Sequence, residues 1–507
     1  MEKQIRPWPA LWALVLGFFM ILIDTTIVSV ANPSILKSLH TDINSVIWVT
    51  SAYLLAYAVP LLVTGRLGDR FGPKNLYLAG LVIFTLSSAW CGLSGNITEL
   101  ITARVFQGVG AALMTPQTMA VITRIFPPDK RGAAMGLWGS VAGVATLVGP
   151  ILGGLLVGGF GWEWIFFINV PVGVVAFVLA VRLVPKLETH PHKFDLFGVF
   201  LSALGLFLVV FGIQEGQTYN WGTIVGPISV WGMIVAGLVV LAGFVVWQRF
   251  NRGEPLLPLG LFRERNFSIA NAAITTVGFT VTSMSLPLIF YLQIVRGMSA
   301  IESALMLVPM AVITAVLAPV IGKLIGRVNP RNIAVIGLVL LALGLYWYSQ
   351  LISPTVSIWV LLVPSAVLGL ANAAIWSPLS TSATRNLPRE LAGAGAGVYN
   401  TTRQIGSVLG SASISALIQV RLIAELPARA GASVSSDLTL SGPLPAFLRA
   451  GFTSAMSQSL LLPAAIALVG AIVAVFLVKP KVVAGWEQSR TAAQAGQSPV
   501  NLSNSSR

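Results

Sequence analysis

The stretch Gly65–Lys74, GRLGDRFGPK, returns in altered form 257 positions later as Gly322–Arg331, GKLIGRVNPR. Gly, Leu, Arg, Pro and a closing basic residue keep their places, at 65 and 322, 67 and 324, 70 and 327, 73 and 330, 74 and 331. Each copy lies between two long apolar runs. A second set repeats at an offset of 261, where Arg124, Pro127, Gly132, Ala133 and Gly136 recur as Arg385, Pro388, Gly393, Ala394 and Gly397. Self-similarity on this scale implies a duplicated membrane bundle whose halves meet around a central path, the plan of a secondary transporter.

Composition supports that reading. Hydrophobic residues make up 55% of the 507 and charged residues only 9%, against roughly a quarter charged in a soluble protein. Fourteen apolar runs have about the length that spans a bilayer: 9–31, 46–66, 74–94, 99–123, 133–158, 162–183, 195–214, 224–247, 267–291, 303–326, 331–351, 356–380, 393–418 and 454–478. The first follows a basic start (Lys3, Arg6), is too long for a signal-peptide core and lacks a small-residue cleavage site, so it reads as a retained helix. With both termini placed in the cytoplasm, most of the 31 lysines and arginines fall on the cytoplasmic connections. That bias accounts for the net charge of +14 without a nucleic-acid partner.

Runs 1–6 correspond to runs 9–14, and runs 7 and 8 have no counterpart. The expected organisation is therefore all-α, with a six-helix bundle over 1–185, an inserted pair with its linkers over 186–262 and a second bundle over 263–478. A disordered cytoplasmic tail is expected over 479–507, rich in Ser, Gln, Ala and Asn. The one long outer connection, about 420–452, carries no recognisable chemistry.

Five stretches resemble the major facilitator superfamily and, within it, the fourteen-helix drug:proton antiporters. GRLGDRFGPK is similar to the superfamily's signature between helices 2 and 3, and RVFQGVGAA (Arg104–Ala112) to its helix 4 signature. GVATLVGPILGG (Gly143–Gly154) resembles the antiporter signature of helix 5. IDTTIVSVANP (Ile23–Pro33) and WEWIFFINVPVG (Trp162–Gly173) resemble the helix 1 signature and the helix 6 entry of the fourteen-helix family. The resemblance covers about 9–478. It implies the major facilitator fold in a bacterial inner membrane and export of amphipathic, lipophilic compounds in exchange for protons. The alternative cargoes are a lipid, a siderophore or a self-made antibiotic, and a proton-driven importer remains open.

Asp24 is the sharpest residue. It lies past the middle of the first run, where an ionised carboxylate costs several kcal/mol unless it pairs, hydrates or takes up a proton. Two readings are open, a proton-coupling group and a structural hydrogen-bonder. Arg104, a few residues inside the outer end of the fourth run, could lie at similar depth. It is either a partner that sets when Asp24 holds its proton or an anchor reaching for the interface. The family's helix 4 arginine is linked to proton relay, and that role carries over to Arg104.

The helix 5 glycines are spaced for close packing: Gly139 and Gly143, Gly149 and Gly153, Gly154 and Gly158 are each four apart, and Pro150 favours a bend. The link to antiport rests on the resemblance. In Gly65–Lys74, Asp69 beside Arg66 and Arg70 reads either as a charged loop clasping helix ends as a gate or as a solvated turn. The second copy has Gly326 where the first has Asp69. Arg403 and Gln404 match an Arg-Gln-x-Gly run of the fourteen-helix family and are candidates for the cavity or gate. The cavity is expected to be broad and apolar, floored by helices 1, 4, 5, 9, 12 and 13.

No enzyme constellation is present. There is no G-x-x-x-x-G-K-[ST] loop. The single cysteine, Cys91, lies in an apolar run, and His190 and His192 lack a third ligand, so neither metal nor cofactor is expected. The expected partners are a lipophilic small molecule, protons and the lipid bilayer.

Overall fold

The structure is a computed structural model that describes residues 7–478 except 127, 188, 190–194, 217, 252–254, 326–327, 386, 388–391 and 427–443. At some further helical positions, Gly65, Asp69 and Gly143 among them, nothing beyond the helical backbone is described. The expected tail therefore lies outside the described residues, as does the middle of the 420–452 connection.

In a bilayer every backbone polar group needs an internal partner, so the apolar runs fold as helices. The first six are α1 (Pro7–Ser38), α2 (Ile43–Phe71), α3 (Pro73–Leu93), α4 (Ile97–Ile125), α5 (Pro128–Phe160) and α6, which is broken at Ile168 into Trp164–Phe167 and Asn169–Leu183. Then come α7 (Leu196–Glu215), a small hairpin of β1 (Thr223–Val225) and β2 (Ile228–Ser229), and α8 (Val230–Phe250). The last six are α9 (Arg265–Phe290, continued by a π turn Tyr291–Val295), α10 (Ala300–Leu305 and Val308–Leu324), α11 (Pro330–Leu351), α12 (Ile358–Thr384), α13 (Ala392–Glu425) and α14 (Ala446–Ser459 and Leu461–Val475). Thirteen of these passes are long and apolar enough to cross a membrane, and α5 adds the shorter apolar helix Val148–Phe160. The start of α1 and the end of α14 lie at one face of the bundle, here the terminal face; the other is the opposite face.

Local chemistry sets the starts. Asp42 accepts from the Ser45 amide at α2, Asn96 from the Glu99 amide at α4, and Ser299 with Glu302 forms a capping box at α10. Pro73 and Pro330, partners in the repeat, both open a helix, where a missing N–H costs nothing.

The packing repeats as the sequence does. In the first half α1 packs on α5 and α6, α2 on α4, and α3 on α4 and α6. In the second, α9 packs on α13 and α14, α10 on α12, and α11 on α12 and α14. The inserted α7 and α8 pack on each other, and α7 also leans on α2 and α13. On the terminal face Asp195 ties this pair together. Its carboxylate accepts from the Gly198 amide (2.8 Å), Trp247 Nε1 (2.8 Å) and Gln248 Nε2 (2.6 Å). Burial disfavours the ionised form, but these hydrogen bonds outweigh it and hold the Asp195 carboxyl below its ordinary pKa.

The named contacts between the halves lie toward the opposite face. Ser51 and Ser411 share a hydrogen bond of 2.7 Å, and Gln293 Nε2 donates to the Val30 carbonyl at 3.1 Å. α5 meets α10 at Gly154, where an added Cβ would come within 2.6 Å of Ile301 Cα and 3.0 Å of the Ala300 carbonyl.

Two expectations need correction. Gly65–Phe71 is not a loop but the last turns of α2, and the connection to α3 is the single residue Gly72. Gly72 has φ of 89°, a value that glycine reaches without steric cost. A helical run already satisfies its own backbone, so the charged residues stand on a helix end. The helix 5 glycines also do not act as one stacked face, because nothing lies within 4 Å of a Cβ added at Gly158. We expect Gly154→Ala to lower the thermal stability of the purified protein by about 1–3 kcal/mol, the usual cost of overpacking. Gly158→Ala should leave it unchanged, and side-by-side melts in detergent check both.

Candidate functional site

Five helices converge on Asp24 within the first half. α1 presents the carboxylate from its middle, where it is 0% exposed. α4 supplies Arg104, 1% exposed, whose Nη1 donates to Asp24 Oδ2 at 2.6 Å. Gln107 stands three residues further along α4 and so on the same face. Its Oε1 accepts from Arg104 Nη1 (2.7 Å) while its Nε2 donates to Asp24 Oδ1 (2.9 Å). Gln107 thus closes a ring with both charges.

The remaining partners come from α2, α3 and α6. Arg104 Nε donates to the Val49 carbonyl at 3.1 Å, and the guanidinium carbon lies 4.0 Å from the centre of the Tyr53 ring. Asn169, just past the break in α6, donates through Nδ2 to Asp24 Oδ1 (3.2 Å) and to Ser88 Oγ (3.0 Å). Ser88 in turn donates to the Phe166 carbonyl at 2.9 Å, which holds the short first piece of α6 against α3. Cys91 Sγ lies 3.5 Å from Gln107 Oε1 at the edge of the cluster.

A buried ion pair holds only when both charges are also hydrogen-bonded, because desolvation costs several kcal/mol per ion. Here Asp24 accepts three hydrogen bonds and Arg104 donates three. The pair sits inside the first half, shielded by α3 and α6. In this conformation it is closed to solvent and to any molecule between the halves.

The other expected residues stand apart from it. Gly149 and Gly153 pack on α1, where an added Cβ would strike Thr26 and Ile27, so α5 rests directly on the helix that carries Asp24. Pro150 is buried between them, and α5 continues through it. Gly154 faces α10, and Gly143 lies outside the described detail, as do Gly65 and Asp69. Arg70 is exposed at the terminal end of α2, its guanidinium carbon 5.5 Å from the centre of the Phe71 ring. Arg403 is half-buried and Gln404 buried, in a part of α13 pressed so closely on α9 that a Cβ at Gly278 would meet the Arg403 carbonyl. Two cavities, of about 800 and 310 Å³, lie away from the ion pair, by the α8–α9 linker and between the ends of α11 and α14.

Gln107, Asn169, Ser88 and Tyr53 were not singled out in the sequence. The spacing of Gln107 from Arg104 was the available signal. The others are uncharged and join the site only through helix packing.

Over residues 14–411 the chain matches the sequence family described as the Major Facilitator Superfamily. The chain belongs to the major facilitator superfamily. It is 52% identical over 476 residues to an uncharacterised MFS-type transporter of Mycobacterium tuberculosis, covering 93% of this chain and 81% of that protein. It is 35% identical over 502 residues to the tetracenomycin C resistance and export protein of Streptomyces glaucescens, covering 93% and 91%. The multidrug resistance protein Stp of M. tuberculosis is 34% identical over 413 residues, covering 81% and 76%. Among solved structures, an inward-facing, unoccupied bacterial homologue of the human lysosomal transporter Spinster superposes with a TM-score of 0.62 at 16% identity, covering 94% and 97%. The chain is thus a multi-pass transporter of the bacterial cell membrane with the major facilitator fold.

The site predicts how variants behave. Asp24→Asn leaves the guanidinium buried without its counter-charge, at a cost of about 3–5 kcal/mol. Asp24→Asn with Arg104→Gln removes both charges and should recover part of that loss in a thermal melt. Arg104→Lys should behave like a loss, because one ammonium cannot span Val49, Gln107 and Asp24 together.

Proposed function

We propose that this transporter is a proton-coupled antiporter that exports amphipathic, lipophilic compounds by alternating access. The observation that carries the reading is the ion pair Asp24–Arg104, closed off inside the helix bundle. The positive bias of the chain's connections supports placing the terminal face in the cytoplasm. The bundle boundaries are then near 185 and 263, with α7 and α8 inserted between.

In this mechanism Asp24 is held as an ion while Arg104 touches it. A shift of α1 against α4 parts the two charges, and the carboxylate takes a proton because its compensating charge is gone. α5 transmits the shift, since Gly149 and Gly153 seat it on α1 while Gly154 seats it on α10. Protonation is thereby coupled to which face is open, and the drug need not touch Asp24. One charge moved across 100 mV is worth about 2.3 kcal/mol, enough for one proton to sustain a roughly fiftyfold export gradient. Asp69 and Arg70 at the end of α2 act in this reading as terminal-face gate residues. Arg403 and Gln404 line the path where α13 passes α2.

The relatives' roles support this choice of cargo. Stp is a multidrug resistance protein and the Streptomyces glaucescens relative an antibiotic resistance and export protein. A broad lipophilic spectrum is the first reading. The second, dedicated export of one self-made antibiotic, is favoured by the tetracenomycin C exporter matching over 93% of this chain.

Sealed liposomes carrying the protein, with internal pH followed while lipophilic cations or neutral drugs are added, test the reading. Wild type should move protons against drug, and Asp24→Asn should lose at least tenfold of that flux. Drug-dependent proton movement unchanged in Asp24→Asn would remove Asp24 from the coupling.

A further inference from the structure

We infer that Glu215, at the end of inserted helix α7, is a positioning residue of the opposite-face gate, and that through it α7 and α8 bias which face is open. Glu215 Oε1 accepts from Asn44 Nδ2 at 2.7 Å and from Trp48 Nε1 at 2.6 Å, both on α2. The Trp48 ring also leans on Phe211 of α7, with centroids 6.0 Å apart. Asn44 uses its other amide atom across the halves, where Ser415 Oγ of α13 donates to Asn44 Oδ1 at 3.2 Å. Deeper in the bundle, Ser51 and Ser411 bond across the same seam at 2.7 Å.

The chain of contacts has a direction. A carboxylate only accepts, so Glu215 fixes the Asn44 amide with its NH2 turned toward α7 and its oxygen toward α13. That oxygen is what the Ser415 hydroxyl needs. α7 touches both α2 of the first half and α13 of the second, and so it stands beside the seam that parts when the opposite face opens. Removing the Glu215 oxygen frees the Asn44 amide to rotate, strands the Trp48 N–H and weakens the seam. The inserted pair is, on this account, a strut for the closed gate. The inference concerns the conformational equilibrium and stands apart from proton coupling, since its test uses neither drug nor proton gradient.

The experiment is double electron–electron resonance on the full chain in lipid nanodiscs. Nitroxides are placed at Thr98→Cys and Phe447→Cys in a Cys91→Ser background. Both positions are exposed at the opposite-face ends of α4 and α14. Glu215→Ala and Ser415→Ala should each raise the long-distance population severalfold, and the double variant should add nothing beyond the larger single effect. Glu215→Gln keeps an accepting oxygen and should stay within twofold of the parent. An unchanged distribution in Glu215→Ala overturns the inference. So does a Gln variant as open as Ala, or a double effect equal to the product of the two singles. Should Glu215→Ala fail to insert, Trp48→Phe, which removes one donor to the same oxygen, carries the test with Ser415→Ala, and an unchanged distribution in both overturns it.

Discussion

A carboxylate and a guanidinium taken out of water together tolerate no slack. Asp24 and Arg104 are almost wholly buried, and each charge would be costly without the other, so helices α1 and α4 are held in one relation by electrostatics rather than by apolar packing alone. Apolar surfaces in a bilayer slide at little cost, because lipid tails solvate them as well as a neighbouring helix does. An ion pair does not slide; it is made or broken. In the mechanism proposed above, such a pair between α1 and α4, with Gln107 and Asn169 completing its hydrogen bonds, is the element with two discrete states that coupling requires.

The second half shows how unequal the two copies have become. The repeat offsets of 257 and 261 carry Asp24 to the region 281–285, VTSMS, and Arg104 to 361–365, LLVPS, and neither holds a charge. The pair that corresponds to α1 and α5, α9 and α13, is joined by Thr402 Oγ1 to Asn271 Oδ1 at 2.8 Å and Thr275 Oγ1 to the Thr402 carbonyl at 3.2 Å. Glycines at 278, 406 and 410 press the two backbones together. The first half thus carries an ion pair that the corresponding positions of the second half lack. α5 with α10 and α2 with α13 make the main contacts across the halves, and the proposed mechanism routes motion at the ion pair through them.

The fold was legible because the bilayer leaves few choices. Apolar runs of spanning length became helices, and the repeated Pro73 and Pro330 each opened one. What the sequence hid follows from the same physics. Charged Gly65–Phe71 looked like a loop by its polarity, yet a helix leaving the membrane can carry charges on its last turns without exposing backbone. Asp24 and Arg104 stood out as charges in apolar runs, while Gln107 and Asn169, uncharged, needed the packing of α4 and α6 to show what they hold. Glu215 closes α7 at the end of an apolar run, where a charge draws no notice, and only the lean of α7 onto α2 reveals its partners.

The central claim is that the proton on Asp24 and its contact with Arg104 exclude each other. Infrared difference spectroscopy of the protein in lipid, recorded on adding drug at fixed pH with isotope-labelled aspartate, reads this directly. The account predicts a change in the protonated-carboxyl band, absent in Asp24→Asn, with the same pH dependence as proton release into the medium. A band that persists in Asp24→Asn, or a carboxyl that stays ionised in every conformation, would contradict it.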